Sequence, residues 1–185
     1  MGSVSSTISG LVFGPKEHRV LVLGLDNAGK TTISFQLRRL EKQVDVVGFA
    51  VETLKVDNLS FTFWDVSGQE KMRPLWRHYF HGTSCVIFVI DGADRDQLPE
   101  AARELDLLLN EPLLADVPFL IFNNKQDLPH AIPTSELTDI LDLGRYNRSK
   151  GETEEGGRKW KIQPLIATTG DGLAEGLDWV KRILQ

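Results

Sequence analysis

Gly24-Leu-Asp-Asn-Ala-Gly-Lys-Thr31 follows the apolar run Val20-Leu-Val-Leu23 and precedes Thr32-Ile-Ser-Phe-Gln-Leu-Arg-Arg-Leu40. Glycines at both ends of such a loop let the backbone curl so that successive N–H groups point inward at a β-phosphate. Lys30 is spaced to reach β- and γ-phosphate oxygens, and the Thr31 hydroxyl to ligate Mg²⁺. The run that follows is expected to be a helix whose positive N-terminal end faces the phosphates. Gly24, Asp26, Asn27, Ala28, Gly29, Lys30, Thr31 and Thr32 are therefore the expected phosphate-side residues. A strand before the loop and a helix after it make the pattern specific for a bound nucleoside triphosphate. The loop leaves the base open.

The rest of the composition narrows the class. A chain of 185 residues suits one domain with a core large enough to fold alone. A hydrophobic fraction of 41% and a charged fraction of 25% are ordinary for a globular protein. The net charge of −5 argues against nucleic acid as a partner, which calls for a basic face. No apolar stretch has the length of a membrane span, and the N-terminus lacks a basic-then-apolar signal sequence. The single cysteine, Cys85, lies in Ser84-Cys-Val-Ile-Phe-Val-Ile90 and reads as a packing residue of a buried strand. These features fit a monomer in a reducing cytoplasm.

Apolar runs and helical patterns alternate along the chain. Strands are expected at 20–24, 49–56, 60–65, 85–90, 119–123 and 163–167, and helices at 30–39, 98–110, 135–141 and 172–184. The expected fold is α/β: one domain with a six-stranded, mostly parallel sheet and helices on both faces. Only the Asp57-Asn58 turn separates the second and third strands, which gives one antiparallel hairpin at the sheet edge. The domain proper is placed at 17–185, after an N-terminal segment at 1–16, and carries a polar, glycine-rich insertion near 145–159. That insertion, with Glu152, Glu154 and Glu155, reads as a solvated loop without a metal. His78 and His81 lack further ligands nearby and read as packing or surface residues.

Asn124-Lys-Gln-Asp127 follows the apolar run Val117-Pro-Phe-Leu-Ile-Phe122 and identifies the base as guanine. A carboxylate at Asp127 accepts from both N1–H and the 2-amino group of guanine, whereas adenine offers an acceptor at N1 and no 2-amino group. Lys125 can lay its stem over the purine face, and Asn124 can tie this loop to the phosphate loop. Ala167 and Thr168 are placed to offer a backbone N–H to guanine O6.

Trp64-Asp-Val-Ser-Gly-Gln69 completes the site. Asp65 is positioned for the Mg²⁺ shell, so Thr31 and Asp65 are the expected metal-side residues. The Gly68 N–H can donate to a γ-phosphate, and Gln69 can orient the attacking water as the catalytic residue.

The phosphate loop, Trp64-Asp-Val-Ser-Gly-Gln69, Arg73-Pro-Leu-Trp-Arg-His-Tyr-Phe80, Asn124-Lys-Gln-Asp-Leu-Pro129 and Gly170-Asp-Gly-Leu-Ala-Glu-Gly-Leu-Asp-Trp179 together resemble the Arf and Arf-like small GTPases. The resemblance covers essentially the whole chain. It implies a single-domain P-loop GTPase fold and a GTP/GDP switch of membrane traffic whose slow hydrolysis depends on an activator. It also implies Mg²⁺ with the nucleotide, a guanine-nucleotide exchange factor, a GTPase-activating protein and effector proteins. Phe49, Trp64 and Tyr79 match the aromatics that such proteins present to effectors.

Met1-Gly-Ser-Val-Ser-Ser6 matches the N-myristoylation pattern, with Gly2 as acceptor. Val4, Ile8, Leu11 and Val12 fall on one face of a short helix behind it. A single acyl chain binds membranes marginally, so the helix must add apolar area and the attachment is reversible. The resemblance implies that this helix packs on the body in the GDP form and is expelled when the hairpin slides on GTP binding. The expected location is the cytoplasm, reversibly on Golgi or other endomembrane surfaces.

The first switch departs from the family pattern. Its Pro-Thr-x-Gly-Phe stands here as Asp45-Val-Val-Gly-Phe49, and no Thr or Ser lies between Phe35 and Glu52. The family's threonine ligates Mg²⁺; Val46 has no hydroxyl. Loss of a charge-assisted contact worth about 1.5–3 kcal/mol reduces the preference for GTP by about tenfold or more. Ser67, where the family has glycine, adds a Cβ beside the γ-phosphate. Two readings follow: a switch with a weakened, partner-dependent GTP state, and a nucleotide-bound interaction module that cycles poorly. A P-loop kinase or ATPase is disfavoured by Asp127 and by the lack of a second-substrate domain.

Overall fold

Alternation along the central strands decides the layering. In β1 (His18–Gly24), Val20 and Val22 point to one side of the sheet and Leu21 and Leu23 to the other. β5 (Cys85–Asp91) repeats this, with Cys85, Ile87 and Val89 on the first side and Val86, Phe88 and Ile90 on the second. Residues 20–23 of β1 and 85–90 of β5 are unbroken apolar runs because both faces are covered there, as parallel sheets require. The computed structural model describes residues 18–40, 44–47, 51–57, 59–64, 70–147 and 158–185.

Among the described residues, seven strands form one sheet in the order β2-β3-β4-β1-β5-β6-β7. The remaining strands are β2 (Val44–Val47), β3 (Val51–Val56), β4 (Leu59–Trp64), β6 (Phe119–Asn124) and β7 (Trp160–Pro164). Among these described strands only β3 runs against the rest, antiparallel to both β2 and β4. The other four neighbouring pairs are parallel. α1 (Lys30–Leu40) and α4 (Leu173–Ile183) cover one face, and α2 (Leu98–Leu109) and α3 (Thr134–Ile140) cover the other. Ile33 and Leu37 of α1 and Leu173, Leu177 and Val180 of α4 pack in the first layer. Each such side chain contributes about 1.5–3 kcal/mol on burial.

The six expected strands are present, and Val44–Val47 joins them at the edge. There Val46 pairs with Glu52, so its backbone continues the sheet. The last strand is displaced from 163–167 to Trp160–Pro164. Leu165-Ile-Ala167 reads as strand because it is apolar, but Leu165 and Ala167 are buried by packing in the layer of α1 and α4. Past Pro164 the chain turns, with Gln126 N–H donating to Leu165 O. Glu70–Tyr79, for which no element was assigned, is a 3₁₀ segment held on α2 by Trp76 and Phe80 in the core and by Arg73 against Glu100 and Glu104 (2.7 and 3.0 Å).

The N-terminal segment at 1–16 and most of the polar insertion lie outside the described residues. The described flanks of that insertion are anchored. Tyr146 and Arg145 bind Asp106 on α2, and the Arg158 guanidinium sits 5.3 Å over the Phe119 ring.

Cys85 is fully buried, and burial pushes its thiol up to about 12. The folded protein is therefore expected to resist a thiol reagent at pH 8 and to react only on unfolding, as a labelling time course with and without denaturant would show. The native state holds the thiol protonated. Its contribution to stability is thus full below about 9 and is lost as pH rises toward about 12.

Candidate functional site

The parallel strands β1, β5, β6 and β7 all end at the same edge of the sheet, where ligands of open α/β sheets bind. The turns after β1 and β6 and the loop after β7 form a cleft there. One part, of about 220 Å³, is lined by Gly29, Thr32, Asn124, Lys125, Asp127 and Thr168 among others. A second part, of about 430 Å³, is lined by Asp26, Asn27, Gly29, Lys30, Thr31 and Thr32. Gly29 and Thr32 belong to both, so the two parts adjoin.

The phosphate-side half is built from the turn between β1 and α1. Gly24 closes β1 against β5, where a Cβ would stand 2.4 Å from Val89 O. Gly29 has φ +103°, and a Cβ there would meet Asn124 Nδ2 at 2.2 Å. No other residue type fits that conformation and that space. Lys30 is 6% exposed and folds back so that Nζ donates to Leu25 O at 2.8 Å. The first turn of α1 carries no acidic residue, and its Lys30, Thr31 and Thr32 line the hollow. This donor set fits a polyphosphate.

Asn124 joins the two halves. Its Nδ2 donates to Ala28 O (2.8 Å) and its Oδ1 accepts from Ala167 N–H (3.0 Å), and the residue is 2% exposed. The phosphate loop and the loop after β7 thus hang on one side chain. Lys125 takes φ +61° and pairs through Nζ with Asp91 Oδ2 at 2.6 Å. Asn27, in the phosphate-side part of the cleft, takes φ +60°. Non-glycine residues held in the left-handed region concentrate at binding sites, where the surrounding structure fixes them. Asp127 stands exposed at the cleft rim, with its carboxylate available to a ligand.

Asp65, Gly68 and Gln69, expected on the metal and γ-phosphate side, lie outside the described residues, as do Gly2, Phe49 and Ser67. Trp64 pairs through its backbone with Val51, and its side chain is outside the description. Tyr79 is half-buried against the α2 layer, with the Arg19 guanidinium 5.3 Å from its ring.

Three groups were not singled out in the sequence. Asp91, 8% exposed, holds Lys125 and accepts from Ala93 N–H at 3.0 Å. A carboxylate ending an apolar strand at the ligand edge was the available signal. Gln36 on α1 reaches the loop after β7, and Ser34 and Arg38 bind Glu52 of β3 (2.7 Å for Ser34). Neither contact has a sequence signature, because each joins distant segments through ordinary polar residues.

Residues 4–184 match the sequence profile of the ADP-ribosylation factor family. Among solved structures, the Arl6 BBS3 small GTPase from Trypanosoma brucei, with bound nucleotide analogue GppNp, superposes with a TM-score of 0.75 at 32% identity. The match covers 91% of this chain and 98% of that one.

Proposed function

The chain belongs to the ADP-ribosylation factor family of small GTPases, and from that premise we propose that it is a membrane-associated GTP/GDP switch of vesicle traffic with slow, activator-dependent hydrolysis. The observation that carries the nucleotide part is Asn124, which binds Ala28 O and Ala167 N–H and so makes one cleft of a phosphate cradle and a base pocket. Binding of GppNp by the Arl6 relative supports the same ligand class.

In this reading Lys30 binds β- and γ-phosphate oxygens, and Asp127 selects guanine. The Thr31 hydroxyl and the Asp65 carboxylate would hold Mg²⁺, which draws charge from the phosphate oxygens. Gln69 orients the attacking water, and positioning supplies most of the rate. Exchange and activating proteins and effectors act as they do generally in this family. A myristoyl group on Gly2 and the apolar face of Val4, Ile8, Leu11 and Val12 would anchor the protein reversibly to endomembranes, the Golgi among them.

Val46 supports a competing reading, a nucleotide-bound module that cycles poorly, because it lacks a hydroxyl and its backbone is engaged in edge strand β2. Affinities for GTP and GDP in Mg²⁺, with and without vesicles, separate the two. A switch is expected to bind both, with the GTP preference reduced about tenfold by the missing ligand. In a separate hydrolysis assay with an activating protein present, Gln69→Leu is expected to slow GTP turnover by about a hundredfold. Tight GDP binding with negligible GTP binding on membranes would end the switch reading.

A further inference from the structure

Gln36 lies on the face of α1 one turn beyond Thr32, which lines the base side of the cleft. Its Nε2 donates to Ala167 O at 3.1 Å and to Thr168 O at 2.8 Å. The next turn of the same loop is within reach as well, since a Cβ on Gly170 would lie 3.9 Å from the Gln36 side chain. Asn124 grips this loop from β6 through Ala167 N–H, and Gln36 grips it from α1 through the carbonyl of the Ala167–Thr168 peptide and the carbonyl of the peptide after it. The Ala167 C=O and the Thr168 N–H share one trans peptide and point in opposite directions. With that carbonyl held by Gln36 on α1, the Thr168 N–H points away from the Gln36 amide, and the second bond, to Thr168 O, restrains the peptide that follows.

We propose that Gln36 is a positioning residue for nucleotide binding, holding the Ala167–Thr168 peptide so that its N–H meets the six-position oxygen of the base. This rests on the guanine-nucleotide reading above and deepens it. α1 then connects both ends of the ligand: its first turn carries Lys30, Thr31 and Thr32, and its second turn carries Gln36. Gln36 touches neither nucleotide nor metal. It acts through the loop, and its effect belongs to one atom of the base.

The test compares GDP with 6-thio-GDP, whose sulfur is a poor acceptor, by dissociation rates of ribose-labelled nucleotides from the full-length protein. Gln36→Leu keeps the volume and removes both donors, and is expected to speed GDP release about tenfold while changing 6-thio-GDP release less than threefold. Gln36→Lys restores donors within reach of both carbonyls and is expected to return GDP release to within about threefold of the wild-type rate. Equal acceleration for the two nucleotides would reduce Gln36 to a structural support and overturn the proposal. An unchanged GDP rate in Gln36→Leu would overturn it as well. If the wild-type protein failed to prefer GDP over ADP, the guanine reading itself would fall, which the leucine variant cannot cause.

Discussion

Asn124→Ala is expected to release the nucleotide and to lower the melting temperature of the nucleotide-free protein. The side chain is 2% exposed, and both of its polar ends are used, by Ala28 O and by Ala167 N–H. Alanine leaves that carbonyl and that N–H facing each other across a gap with no partner. Each such buried group costs about 1–3 kcal/mol, so the pair costs about 2–6 kcal/mol. For a domain of this size that is a fall in melting temperature of about 5–20 °C. Binding suffers separately, because the phosphate loop and the loop after β7 lose the group that sets their separation. GDP affinity is expected to fall at least a hundredfold. Thermal melts with and without GDP, together with titration of a fluorescent GDP, measure the two effects. Asn124→Asp is the informative companion: it keeps an acceptor for Ala167 N–H but sets a carboxylate against Ala28 O, and so is expected to rank no better than alanine in binding. A variant that melted and bound like wild type would show that the two loops hold their spacing without Asn124.

That dependence on one side chain explains how unevenly the molecule shows itself in the sequence. Cys85-Val-Ile-Phe-Val-Ile90 is recognisable as a strand buried on both faces because no polar residue interrupts it. Gly24, Gly29 and Lys30 are recognisable because backbone crowding and a buried charge leave no substitute. Edge strand β2 is harder to read. Four residues with Asp45 among them give no clean alternation, and their pairing depends on β3 rather than on local preference. The shift of β7 has the opposite cause: Leu165 and Ala167 are as buried as strand residues, but in a loop that dips under α4. Gln36 and Asp91 act on the site through residues far away in the chain, so a single sequence gives them no spacing to recognise. The residues that touch a ligand are constrained by chemistry and legible; those that hold them in place are constrained by geometry and are not.

Asp127→Asn is expected to produce a similar loss of GDP affinity with no loss of stability, and to exchange one base for another. Asp127 is exposed at the rim of the cleft, and among the described residues its carboxylate bridges no other element. In the guanine reading it accepts from N1–H and from the 2-amino group, and each hydrogen bond to a charged acceptor is worth about 1.5–3 kcal/mol. Asparagine keeps one acceptor but turns its own NH₂ toward a donor of the base. The loss of GDP affinity is therefore expected to be about 10²–10⁴-fold, since a missed pairing in a site built on hydrogen bonds is strongly rejected. Xanthine carries a carbonyl oxygen where guanine carries the 2-amino group. The same NH₂ then finds an acceptor, and XDP is expected to bind the variant more tightly than GDP does. The melting temperature without nucleotide should stay within about 2 °C of wild type, as for a surface substitution. Competition of GDP and XDP against a labelled nucleotide, set beside the melts of Asn124→Ala, separates a residue that reads the base from one that builds the pocket. Unchanged GDP affinity in Asp127→Asn would remove Asp127 from base recognition; a loss of GDP without a gain of XDP would show that the side chain shapes the loop rather than reading the two-position of the base.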